Sequence, residues 1–170
     1  MNNSQQNHDS HNAVGEAYEA SLEKALEQSK LHDISLHLAI DHDHEHQTLK
    51  QMSSGEVSKI KQSLQRDLID AAHHLKETKQ ELKDWLGFDL MLIKNELWEK
   101  FTEATDKTTL ELIKLKHIAA NAAYHTGEII GLGTLTCDQC GSALHFHKPG
   151  HIPPCGKCHG TQFHRLKSEL

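Results

Sequence analysis

The chain has 170 residues, enough for one ordinary domain or for a helical body with a small appendage. Its apolar fraction is 36%, its aromatic fraction 5% and its mean hydropathy −0.61, which favours amphipathic helices with narrow apolar stripes over a thick mixed core. A formal charge of −6 argues against a nucleic-acid binder, and no apolar run approaches the ~20 residues of a membrane helix, so a soluble, cytoplasmic protein is expected.

Residues 1–12, MNNSQQNHDSHN, are polar and lack the basic and apolar regions of a secretion signal; a disordered tail is expected. A helical body is expected over 13–126. It begins with Val14, Tyr18, Leu22, Ala25 and Ser29 at spacings of three and four, and continues less regularly through Leu31, Ile34 and Leu38. The run Asp41-His42-Asp43-His44-Glu45-His46 follows. On a helix His42 and His46 share a face, as two imidazole ligands do, but alternating Asp and His with no apolar wall reads first as a solvated segment.

Ser53 lies three residues before Glu56, the spacing of a capping box. The helix it opens has the strongest periodicity in the chain: Val57, Ile60, Leu64, Leu68, Ala71, Leu75, Thr78, Leu82 and Trp85 form one stripe. A continuous helix of that length reaches roughly 45 Å and needs a partner helix. An intramolecular antiparallel hairpin is favoured, with a homodimer as the alternative to a monomer, because Ala71 and Thr78 weaken a stand-alone seam. Gly87 punctuates the stripe, which resumes in shifted phase at Leu90, Ile93, Leu97 and Phe101; a kink and a reversal both fit. Thr105 and Asp106 read as the start of a further helix over about 107–124. Its two rows, Leu110/Ile113 and Leu112/Leu115/Ala119/Ala122, predict deep burial. His117, Asn121, Tyr124 and His125 read as helix–ribbon contacts, since no paired carboxylate stands at a spacing suited to acid–base chemistry.

Gly127, Gly131 and Gly133 predict a hinge over 127–133, and 134–170 predicts a small β ribbon. Its strands are expected at 134–137, 143–147 and 162–166, with Pro149, Pro153 and Pro154 at turns. The four cysteines of the chain all fall here: Cys137 and Cys140 in CDQC, and Cys155 and Cys158 in CGKC, with 14 residues between the pairs. Two CxxC turns at this spacing suit one tetrahedral zinc ion. Two disulfides are disfavoured in a reducing compartment, and a redox CxxC lacks its flanking βαβ pattern. Four thiolates leave no position for water or substrate, so the expected Zn2+ is structural, with no catalytic residue and no enzymatic activity. A ribbon of about 35 residues cannot fold on apolar burial alone, so the metal must contribute much of its folding free energy. With four Cys in place, His145, His147, His151, His159 and His164 are expected to be exposed, His159 being a candidate outer contact of the site.

Charge is uneven. Residues 1–133 carry 14 Lys/Arg against 22 Asp/Glu, a formal −8, while residues 134–170 set Lys148, Lys157, Arg165 and Lys167 against Asp138 and Glu169.

Four stretches, NELWEKF (95–101), ATDKTTLEL (104–112), YHTGEIIGLGTLTCDQC (124–140) and CGKCHGTQF (155–163), resemble the bacterial zinc-ribbon-containing proteins of unknown function, the YbeL-like family. The resemblance is specific over about 94–163 and only architectural before it. It implies a helical, coiled-coil-like N-terminal region before the ribbon and names no reaction; the histidine run at 42–46 is outside its pattern. The expected architecture is therefore mainly α: a long helical hairpin or coiled-coil-like body followed by a C-terminal β zinc ribbon. The expected role is a protein–protein interaction or adaptor module. A nucleic-acid-associated zinc-ribbon factor is the alternative, carried by fold analogy alone.

Overall fold

The structure, a computed structural model, describes residues 3–42, 47–114 and 123–166, with side chains placed at 12–41, 49–111 and 123–166. Its helical part comprises α1 (Asn3–His32), α2 (Leu36–His42), α3 (Gln47–Lys50), α4 (Ser54–Thr78), α5 (Leu82–Leu86), a 3-10 turn (Leu90–Leu92) and α6 (Asn95–Lys114). α1 takes in most of the stretch expected as a disordered tail. Among the described residues no helix is long and apolar enough to cross a membrane.

The capping box forms as read: the Glu56 N–H donates to Ser53 Oγ (3.3 Å) and the Ser53 N–H to Glu56 Oε2 (2.9 Å). Ile60, Leu64, Leu68 and Ala71 are buried as the stripe requires. The helix does not run to Trp85. The Thr78 hydroxyl donates to His74 O (2.7 Å) and accepts from Gln80 N (3.1 Å), and Lys79 turns left-handed at φ 57°. The hydroxyl thus captures the Gln80 N–H in place of a helical carbonyl, and with Lys79 left-handed the helix ends where apolar spacing alone would continue it. Leu82 and Trp85 instead lie on α5, which stops at a left-handed Gly87 (φ 76°). The chain then turns through Leu90–Leu92 into α6, so the helical path breaks at Gly87.

A simple hairpin is not what packs. α4 lies against both α6 and α1, and α1 also packs on α6, burying Tyr18, Leu22, Leu64, Leu68, Leu97 and Phe101 in one core. Trp85 stacks on Phe101 with ring centroids 5.5 Å apart. Thr105 and Asp106 sit inside α6 and do not start a helix; the Thr105 hydroxyl donates to Phe101 O (2.8 Å). Leu110 is 65% exposed, against the expected burial, while the remaining positions of its two rows lie outside the described side chains.

The ribbon starts ten residues earlier than read. Tyr124, assigned to a helix from sequence, lies in β1 (Tyr124–His125), followed by β2 (Ile129–Ile130), β3 (Gly133–Cys137), β4 (Ala143–Phe146), β5 (Gly150–His151) and β6 (Gln162–Arg165). The antiparallel order is β1-β6-β3-β4, with β2 and β5 as a separate two-stranded ladder. The expected glycine hinge is woven into this structure. Ile129 and Leu132 join the helical core, Ile130 joins the ribbon core with Tyr124, Leu135, Ile152 and Phe163, and all of these are nearly solvent-free. A segment that fills two cores at once cannot act as a linker.

The two parts are joined through a polar face of α4: Ser63, Asp67 and Asp70, one residue out of phase with its apolar stripe, with Arg66 beside them. The fully buried Asp67 carboxylate accepts from Tyr18 Oη (2.8 Å), the Gly131 N–H (2.6 Å) and the Arg165 guanidinium (2.6 Å). Arg165 also donates to Leu132 O (2.6 Å) and Tyr124 Oη (3.1 Å) and lies over the Trp85 ring at 4.5 Å. The Tyr124 hydroxyl donates to Asp70, Ser63 donates to Ile129 O, and Arg66 pairs with Glu128 at 2.9 Å. Burial pushes the Tyr18 and Tyr124 hydroxyls up, so both remain protonated donors, and burial also pushes Asp70 up against the opposing pull of Arg165. Gly131 is required here, because a Cβ would run into the Tyr18 hydroxyl and Asp67.

Removing one member of a buried pair strands the other. Asp67→Ala should cost about 3–5 kcal/mol in chemical denaturation, comparable to the about 2–5 kcal/mol expected for Leu64→Ala, whereas exposed Lys76→Ala should cost under about 0.5 kcal/mol. An Asp67→Ala effect as small as that of Lys76→Ala would refute the role assigned to the carboxylate.

Candidate metal centre

Each cysteine pair sits in a tight turn built by the backbone. At the end of β3 the Gly141 N–H donates to Cys137 O (2.9 Å) and the Cys137 N–H to Ser142 O (2.9 Å). In the second turn the His159 N–H donates to Cys155 O (2.8 Å) and the Cys155 N–H to Gly160 O (2.9 Å). The residue after each pair is left-handed: Gly141 at φ 72° and His159 at φ 59°. The two knuckles thus repeat one geometry, with His159 in a position a glycine would occupy without strain.

The four sulfurs converge. All Sγ atoms lie within 4.8 Å of one another, with Cys137–Cys158 and Cys140–Cys155 each at 3.5 Å. A tetrahedral ion with bonds of about 2.3 Å needs sulfurs about 3.8 Å apart, so the donor set fits zinc. A disulfide needs about 2.05 Å, and all four cysteines are free. Cys137 and Cys155 are buried, while Cys140 and Cys158 are partly open.

The ionisation pattern calls for a cation among the sulfurs. Hydrogen bonds from the Ser142 hydroxyl and backbone hold the Cys140 thiol down at about 6. The Gly160 N–H (3.4 Å from the sulfur) pulls Cys158 down, yet burial and the neighbouring sulfurs prevail and push it up to about 12. Four sulfurs this close cannot all be thiolates until a cation takes up their charge.

Among the described residues only these four form a metal-ligating group. Four of the five ribbon histidines are engaged elsewhere. His145 Nδ1 lies 2.9 Å from Thr134 Oγ1, His147 packs edge-on to Phe88, His151 Nδ1 lies 3.0 Å from Gly127 O, and His164 Nδ1 lies 2.7 Å from Asp138 Oδ1. Of the five, His151 and His164 are half-buried, against expectation, and the other three are exposed. Tyr124 and His125 point to Asp70 and Glu128, and His117 and Asn121 lie outside the described residues, as does most of the 41–46 run.

Sequence reading missed Gly160. A Cβ there would stand 3.0 Å from Cys137 Sγ and 3.2 Å from Cys158 Sγ, inside the space of the cluster. Its place two residues past Cys158, in the knuckle turn, was the available signal.

The family model described as "Zinc-ribbon containing domain" matches residues 21–167. The chain belongs to this family. The match reaches back into α1, well beyond the stretch where the resemblance looked specific. Relatives include the "Uncharacterized protein YbeL" of Escherichia coli strain K12 and of strain O157:H7; each is 33% identical over 124 residues, covering 70% of this chain and 74% of theirs. No solved structure matches the chain. The four-cysteine cluster in a zinc-ribbon domain is one structural Zn2+ site.

Elemental analysis of protein purified under reducing conditions should give one zinc per chain. Cys155→Ser should release it and unfold the ribbon while most helical circular dichroism persists; zinc retained in that variant would contradict the ligand set. Gly160→Ala should weaken zinc retention against a chromogenic chelator by about tenfold or more, whereas Gly156→Ala, whose Cβ would meet nothing within 4 Å, should not.

Proposed function

We propose that the protein is a non-enzymatic interaction module in which the helical body presents a rigid zinc ribbon to a protein partner. The observation that carries this reading is the way the ribbon is held. Strand β3 is anchored at Gly133, beside Arg165 and Trp85, and runs outward to Cys137, so the knuckle residues Asp138, Gln139, Gly156, Lys157 and His159 stand exposed at the opposite end. A closed thiolate site supplies stiffness and no open coordination position.

The charge distribution supports a protein partner over nucleic acid. Arg165, the ribbon's one arginine, is committed to Asp67 and Asp70, and Arg66 to Glu128. Exposed phosphate-binding charge on the ribbon is thereby reduced, beside a strongly acidic body.

Affinity capture from lysate with and without nuclease tests the proposal. The expected result is a partner that survives nuclease and is lost with Cys155→Ser. Capture that depends on nucleic acid, together with submicromolar oligonucleotide binding and a steep salt slope, would replace the proposal with the nucleic-acid reading.

A further inference from the structure

A cleft of about 540 Å³ lies where the β4–β5 turn approaches the start of α6 and the middle of α1. Its floor is apolar, with Leu97 buried and Phe146 half-buried, and Leu92 at its lip is 56% exposed. Leu92 belongs to the 3-10 turn, none of whose residues is buried, and its neighbour Met91 is 89% exposed. The rim is basic: Lys148 is exposed, the Lys94 side chain is 65% exposed, and the exposed His147 stands beside them. The wall's one carboxylate, Glu19, lies 3.8 Å from the Lys94 ammonium and offsets only part of that charge. In a chain of formal charge −6, two lysines against one carboxylate around an apolar floor reverse the sign of the general surface.

Strand β4 leads into the cleft and is an edge of the four-stranded sheet. Cys137 N–H bonds Ser142 O, and in the same register Leu135 faces Leu144 and Gly133 faces Phe146. Antiparallel alternation then aims the backbone N–H and C=O of Ala143 and His145 away from β3. No other described strand pairs with that edge. An edge whose main-chain groups pair with no other described strand, beside a pocket for a side chain, is the geometry for strand addition by an extended peptide.

We propose that this cleft binds an extended acidic segment of a partner protein, which adds a strand to β4, seats a bulky apolar side chain between Leu92 and Phe146, and places its carboxylates against Lys94 and Lys148. Charge complementarity names the occupant: a lysine-rich peptide would be repelled, and a compact anion would leave the β4 edge unused. The inference rests on the interaction-module reading and adds a partner contact, with its chemistry, at the anchored end of the ribbon, where Phe146 faces Gly133, away from the exposed knuckles.

Panning a random-peptide library against the zinc-loaded full chain tests it. Selected peptides should be rich in Asp and Glu around a Phe, Leu or Trp. Lys148→Glu and Leu92→Ser, both at exposed positions, should each weaken their binding by about tenfold or more while leaving zinc content and circular dichroism unchanged. Bound peptide should slow hydrogen exchange at the Ala143 and His145 amides. Selection of basic or neutral sequences, no selection at all, or selected peptides indifferent to both variants would overturn the proposal. Nuclease-resistant capture from lysate that both variants retain would overturn the cleft while leaving the interaction-module reading in place. Preferential binding of single-stranded oligonucleotide in the cleft, lost with Lys148→Glu, would overturn both.

Discussion

The ion pair between Asp67 and Arg165 is the constraint on which the arrangement of helices and ribbon depends. It joins the centre of α4 to the last described strand of the sheet, and neither charge is left unmatched once both are buried. A carboxylate in a nearly dry interior is tolerable only with its oxygens fully engaged, and Asp67 meets that condition with a tyrosine from α1, a backbone amide from the 127–133 segment and the guanidinium from β6. Apolar contact alone could pack these elements at several offsets. A set of directional bonds to one carboxylate allows a single one.

Metal and docking reinforce each other. The ribbon core consists of Tyr124, Ile130, Leu135, Ile152, Phe163 and two of the cysteines, too little apolar surface to hold itself. The zinc ties β3 to the 155–158 turn at one end, and Arg165 ties β6 to α4 at the other. Tyr124 contributes to both, with its ring in the ribbon core and its hydroxyl on Asp70. Because Ile129 and Ile130 fall on opposite sides of one strand, the ribbon and the helices share a border no wider than a residue.

What was legible in the sequence was local. The capping box at Ser53, the stripe from Ile60 to Ala71, the three main ribbon strands and the cysteine cluster each depend on residues close together in the chain, and each formed nearly as read. What was not legible depended on distant partners. Nothing near Asp67 signals that its partner lies 98 positions away, so neither the polar face carrying Ser63, Asp67 and Asp70 nor the role of Arg165 could be read from local spacing. The glycines at 127–133 looked like slack chain because a gap left for the Tyr18 hydroxyl resembles, in sequence, a site of flexibility. The end of α4 was missed for the opposite reason: Thr78 suits the spacing of the stripe, but its hydroxyl accepts from the Gln80 N–H and Lys79 turns left-handed.

The same separation of 98 residues bears on how the chain is made. A ribosome adds roughly 5–20 residues per second, so several seconds pass between the emergence of Asp67 and the synthesis of Arg165. Throughout that interval the first helices can form, but closing them over a charged, unanswered carboxylate is unfavourable. A body closed before residue 165 is supplied would bury an unmatched charge, so the native contacts disfavour closure of that face of α4 ahead of the arginine. In sequence order, the residue that locks the two parts together comes after the scaffold it locks.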